Sequence, residues 1–97
     1  MPPGASLEGG WGAYYVDKVS DHPKTAAWPF GAACHLFADT EEELHALARL
    51  IGLRREWFQA DSSLPHYDLT PGKRFLALKK GAHELTPEQV RYRIRER

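Results

Sequence analysis

Two short segments carry the side chains best suited to moving protons, Cys34-His35-Leu36-Phe37 and His66-Tyr67-Asp68-Leu69. Each sets a histidine, whose charge changes near neutral pH, inside an apolar and aromatic run that reads as a β-strand. A third run, Tyr14-Tyr15-Val16-Asp17, ends on an aspartate. Side chains alternate faces along a strand, so Val16, Cys34, Leu36, Tyr67 and Leu69 can share one apolar face. The opposite parity gathers Tyr15, Asp17, His35, Phe37, His66 and Asp68. Imidazoles next to carboxylates form acid–base pairs, which makes Asp17, His35, His66 and Asp68 the candidate catalytic residues of a hydrolase-type site. Two histidines and an aspartate can also hold a metal with an open position, here His35, His66 and Asp68 or Asp17. No short-range His-x-His or His-x₃-His spacing supports that use, so the sequence assigns no metal and names no cofactor. Cys34 has the parity of the apolar face and is expected in the core, away from His35.

A second feature concerns charge. Thr70-Pro71 has the cap-then-proline order that opens a helix, yet Lys73 and Arg74 follow in its first turn. Positive charge there opposes the helix dipole by roughly 0.3–1 kcal/mol per residue. A bound anion at Thr70, Lys73 and Arg74 would relieve the mismatch, and so would an ion pair from Asp68 to either cation. Ligands of open α/β sheets bind beyond the carboxyl ends of the strands, and Asp17, Asp39 and Asp68 are all expected near such ends. The N-termini of the first two helices are expected to point there too.

The elements that must position these residues follow from periodicity and caps. Thr40 with Glu43 forms a capping box. Glu41, Glu42 and Glu43 suit the positive end of a helix dipole. Leu44, Leu47, Ala48 and Ile51 recur on one helical face, and Gly52 ends it, so a helix spans 40–51. Residues 18–32, with Asp21-His22-Pro23 and Trp28-Pro29-Phe30-Gly31, read as a loop that places Trp28 and Phe30 over the polar face. Arg54–Phe58 reads as a helical turn dropping Trp57 or Phe58 into the core. A second helix runs from Thr70-Pro71 to Lys80 with Phe75 and Leu78 inward. Ala82–Leu85 reads as the fourth strand, and Thr86-Pro87-Glu88 opens a third, Arg-rich helix. The expected architecture is a small α/β domain over residues 13–97, about four strands and three helices in the order β-β-α-β-α-β-α. Strand–helix–strand units of this length imply a largely parallel sheet, with all helices on the apolar side. Residues 1–12 read as a flexible leader rich in Gly and Pro.

Composition narrows the classes of function. At 97 residues the chain is long enough for one core, and no apolar run approaches the ~20 residues of a membrane span. The lone Cys34 excludes an internal disulfide, which together with the absence of a secretory leader points to a cytoplasmic protein. Net charge is zero, but residues 1–48 carry −5 and residues 49–97 carry +5. The basic half gives the alternative reading, a nucleic-acid-binding or protein-interaction domain that uses Arg91, Arg93 and Arg95. Zero net charge and the absence of a known reading motif count against nucleic acid.

The order Tyr15-Val16-Asp17, Trp28, His35, Asp39, Glu43-Leu44-His45-Ala46, Ile51-Gly52, Phe58, His66-Tyr67-Asp68, Arg74, Ala77, Gly81-Ala82 and Glu84 resembles a bacterial family called domain of unknown function 4031. The resemblance covers about residues 14–94. It implies that residues 1–12 are an extension and that Asp61–Pro65 is a local insertion. The family's name carries no activity, but the resemblance marks Asp17, His35, His45, His66, Asp68 and Arg74 as positions of interest. The candidate set is completed by His45, Tyr67, Thr70, Lys73 and Arg74 as ligand-binding residues, the ligand expected being a small anion such as a phosphate ester.

Overall fold

A computed structural model of the chain describes residues 14–96; the leader expected over 1–12 and Arg97 lie outside the described residues. The strands are β1 (Tyr14–Val16), β2 (Ser20–Asp21), β3 (Ala32–Ala38), β4 (Phe58–Gln59), β5 (His66–Leu69) and β6 (His83–Glu84). The helices are α1 (Glu41–Leu50), α2 (Pro71–Lys79) and α3 (Pro87–Arg95), with a 3-10 turn at Arg55–Trp57. Each helix starts at a threonine whose side chain accepts the N–H three residues on: Thr40 from Glu43, Thr70 from Lys73 and Thr86 from Gln89. The full reciprocal capping box forms at Thr86 and Gln89. At Thr40 the Glu43 carboxylate instead accepts from the threonine hydroxyl at 2.9 Å. Gly52, just past the C-cap Ile51 of α1, takes a φ of +85°, a conformation costly for residues with a Cβ, and the chain turns there so that Leu53 N–H reaches Ala48 O at 2.8 Å.

The sheet is mixed, with spatial order β4-β5-β3-β1-β6 and β2 paired to the start of β3. The expectation of a largely parallel sheet of four strands is therefore corrected. Strand β3 runs antiparallel to β1, β2 and β5, and among the described residues only β1 with β6 is a parallel neighbour pair. The reason lies in insertion rather than in the crossovers. Since β4 and β3 are both antiparallel to β5, α1 does connect two parallel strands, β3 and β4. The two-residue β4 then turns back into β5, which enters between them. Likewise α2 connects β5 to β6, which run the same way but have β3 and β1 between them. Two strands were invisible in the sequence because two residues hold too little pattern to reveal a period.

Parity divides the core. Val16, Cys34, Leu36, Tyr67 and Leu69 are almost wholly buried, under Leu44, Leu47 and Ala48 of α1 and Ala77 of α2. Burying a side chain of Leu or Val size stabilises the fold by roughly 1.5–3 kcal/mol, so this layer dominates. On the other face Tyr15 and Phe37 pack with Leu85, Leu64 and Val90 of α3. The expectation that every helix lies on the apolar side is corrected by α3, which covers one end of the opposite face. Phe75, expected inward, is 61% exposed; Ala77 takes the inner position, with Leu78 partly buried against the core. Of the pair Trp57 and Phe58, Phe58 packs on the core and Trp57 is exposed. No helix among the described residues is long and apolar enough to cross a membrane.

Candidate functional site

The structure brings Asp17, His35, His66 and Asp68 together on the face of the sheet left clear by α3. His35 of β3 is the direct cross-strand partner of Asp68 in β5. Their side chains therefore project side by side, and His66 lies two residues before Asp68 on the same face. Asp17 arrives by a different device. Between the β1 and β2 pairings, the three residues Asp17–Val19 face only two, Cys34 and His35. This extra residue is a bulge, which kinks a strand and re-aims its side chains. One Asp17 carboxylate oxygen accepts the His35 backbone N–H at 2.6 Å, as a strand carbonyl ordinarily would. The other oxygen accepts the His35 ring Nδ1–H at 2.7 Å.

His66 is anchored in a parallel way. Its Nδ1 lies 2.8 Å from the Leu64 carbonyl and 3.0 Å from the Ser62 hydroxyl. A carbonyl only accepts, so Nδ1 carries the hydrogen. Both rings thus turn Nε2 toward Asp68: Oδ1 lies 3.3 Å from His66 Nε2 and 3.7 Å from His35 Nε2. The His35 and His66 rings meet edge to face with centroids 4.6 Å apart. The hydrogen bond to Asp17 raises the His35 pKa above its ordinary value, with burial opposing. Hydrogen bonding to His66 holds the Asp68 carboxyl below the usual carboxylate range. Half-exposed His35 and Asp68 leave the cluster open to solvent, whereas His66 and Asp17 sit behind them.

Beside the cluster is a cleft of about 830 Å³ with Asp68, Thr70 and Lys73 in its lining and aromatic walls from Trp28, Phe30 and Trp57. The loop over it is held by Trp28 Nε1, which donates to Ala32 O at 2.9 Å, and by the edge-to-face contact of Trp28 with Phe30. A larger hollow of about 1010 Å³ lies at the opposite end of the sheet, between the start of α1 and α3.

The remaining candidates go elsewhere. His45 and Tyr67 are on the helix-covered face, where His45 Nδ1 and the Tyr67 hydroxyl share a 2.8 Å hydrogen bond. Burial pushes the His45 pKa down and the Tyr67 pKa up. Thr70 caps α2. Lys73 donates to Ile51 O at 2.7 Å, so the cation at the start of α2 neutralises the negative end of α1. Arg74 donates to Asp17 O at 2.9 Å and pairs with Glu84. Protein acceptors thus supply the relief expected from an anion, and the alternative partner, Asp68, is turned to the histidines instead. Asp39 is at the far end of the antiparallel β3, with its side chain 3.3 Å from Arg93; α1 consequently begins at that end too, not beside α2. Arg93 also lies over the Tyr15 ring at 3.8 Å, which withdraws it from the basic face of α3. The Cys34 thiol is fully buried and pushed up to about 12 by burial, which fits a core residue rather than a nucleophile.

Sequence reasoning missed Ser62, Leu64 and Glu84. The first two act through a hydroxyl and a main-chain carbonyl in Asp61–Pro65, which no pattern in residue type announces. Glu84 was within reach, as the acidic residue of a strand following a helix with an unmatched arginine.

Neither a curated protein nor a solved structure matches the chain. A family model does, over residues 15–97, and its description is protein of unknown function. The match takes in all four residues of the cluster, together with β3 and β5. The chain belongs to this family, DUF4031.

Proposed function

We propose that Asp17, His35, His66 and Asp68 form the working centre of a small-molecule site of hydrolase type, with the adjacent aromatic cleft as substrate seat. The observation that carries this reading is the succession of contacts from carboxylate to imidazole to carboxylate to imidazole, Asp17 to His35 to Asp68 to His66, with Asp68 shared between the cluster and the cleft. In this reading Asp17 orients His35, as a carboxylate behind an imidazole does in hydrolytic centres. Nε2 of His35 is the proton-transfer atom, and the substrate lies between it and the walls of Trp28, Phe30 and Trp57. Aromatic walls from Trp28, Phe30 and Trp57 suit a ligand with an apolar or ring-bearing portion, and Asp68, Thr70 and Lys73 offer it polar partners. The strand-end anion remains part of the proposal only as a substrate's ester group, since Lys73 and Arg74 already have protein acceptors.

A panel of chromogenic carboxylic and phosphate esters tests it. The full chain is expected to hydrolyse at least one class, and His35→Gln is expected to lower kcat/KM by about 10²–10⁴-fold, the usual contribution of a general acid or base. Turnover that is indifferent to His35→Gln, or no turnover of either class, overturns the reading.

A further inference from the structure

The same cluster has a geometry that acid–base chemistry does not require. Both imidazoles spend Nδ1 on fixed acceptors, a carboxylate for His35 and a main-chain carbonyl for His66. With Nδ1 so engaged, Nε2 is the atom of each ring that faces Asp68; a metal ion would displace the proton that hydrogen-bonds His66 to Asp68 and take the Nε2 lone pairs in its place. One ligand atom from each of His35, His66 and Asp68 lies within 4.8 Å of the other two. A proton can bridge only one pair of them. A cation at their common centre engages all three.

We propose that His35 Nε2, His66 Nε2 and an Asp68 carboxylate oxygen bind one divalent first-row transition-metal ion, zinc being the ion best suited. This deepens the reading given above and rests on the same cluster. Three lines support it. First, the donor set of two imidazoles and a carboxylate suits such ions, and three protein ligands leave a coordination position for water or substrate. Second, the oxygen–nitrogen spacing is close to what a metal ion requires. Bonds of roughly 2.0–2.1 Å at the tetrahedral angle set donor atoms about 3.3–3.4 Å apart, and here the carboxylate oxygen is 3.3 Å and 3.7 Å from the two nitrogens. Third, metal-binding histidines commonly donate the other ring N–H to a carboxylate or a main-chain carbonyl, which fixes the tautomer; His35 and His66 supply one example of each. Asp17 is a positioning residue in this arrangement. The open side is the solvent-facing side of His35 and Asp68, next to the cleft. A bound ion there would polarise a substrate carbonyl or phosphoryl oxygen, or activate water.

The test is titration of the chelator-treated full chain with zinc, read by native mass spectrometry and calorimetry, and with cobalt(II), read by its visible absorption. One ion per chain is expected. Asp68→Asn and His66→Gln should weaken binding by at least about 100-fold. Asp17→Asn, which leaves every ligand in place, should weaken it about 10–100-fold. His83→Gln, on the far edge strand, should leave it unchanged. Asp68 is partly exposed and Asn is its isostere, so this variant is expected to fold, as circular dichroism would verify; zinc should raise the melting temperature of the parent and not of Asp68→Asn. Absence of saturable zinc and cobalt binding by the folded parent overturns the proposal, as does binding that survives both Asp68→Asn and His66→Gln. The two readings separate cleanly: ester turnover by protein that binds no metal sinks the metal site alone. One ion bound through these residues without turnover upholds the site and sinks the hydrolase reading.

Discussion

Strands β3 and β5 carry histidine chemistry on one face and rest against histidine chemistry on the other, and the two differ in what the rings are free to do. Under α1, His45 packs edge-on to Phe58 and shares its hydrogen bond with buried Tyr67. Burial is the leading influence and pushes its pKa down, so the ring is held neutral as part of the packing. On the other face, His35 and His66 have their inner nitrogens bonded and their outer ones turned toward a half-exposed carboxylate. The same side chain is a piece of core on one side and a presented donor on the other. What separates the roles is the partner of Nδ1 and the surroundings of Nε2, neither of which follows from residue type.

The contrast should be plainest in stability. Truncating Tyr67, which is fully buried, is expected to cost about 3–5 kcal/mol, as for other large core aromatics. Asp68→Ala, one residue along and facing the other way, should cost no more than about 1 kcal/mol, in keeping with a partly exposed pair. Urea denaturation of both variants checks this, and comparable losses would erase the distinction between the faces. Asp17→Ala should fall between them, at about 1–3 kcal/mol, because it leaves the His35 N–H and ring donor without their acceptor; a loss below about 0.5 kcal/mol would mean that water replaces the carboxylate at no cost.

The smallest expected effect is a change of slope. The groups facing His45 are Glu41 and Arg49 of its own helix, Arg55 of the 3-10 turn and Tyr67 of β5. With its folded pKa below the ordinary 6.5, the unfolded chain takes up the proton first as pH falls. The stability contributed by neutral His45 is therefore complete above about pH 6.5 and is lost as pH drops toward the folded value. In His45→Gln, melting temperature measured from pH 8 to pH 5 should fall less steeply than in the parent. An unchanged or steeper slope would assign the acid sensitivity to other groups.

Much of this arrangement could be read from residue order. The alternation along Cys34–Phe37 and His66–Leu69 determines which side chains share a face, and the two faces of those strands follow it. Threonine caps and the Leu44, Leu47, Ala48 spacing place the helices to within a residue or two. What could not be read were the strand directions, because β4 is too short to register as a strand and its reversal decides how β5 enters. Nor could the bulge at Asp17 be seen, since it is a property of two strands' relative register. The apparent mismatch of Lys73 and Arg74 was real as local electrostatics, but its resolution depends on where the end of α1 and the side chain of Glu84 come to lie.

The bulge at Asp17 has a bearing on how the chain finds its native pairing. A strand of three residues offers little to distinguish one alignment from the next, and a slip by one position exchanges its faces. Asp17 meets both the main chain and the ring of His35 only in the native alignment, so the carboxylate acts as a latch on β1 against β3. A change that dismantles the cluster at this position also loosens the alignment of the sheet's centre. The correctness of folding and the assembly of the cluster are therefore checked by the same contact.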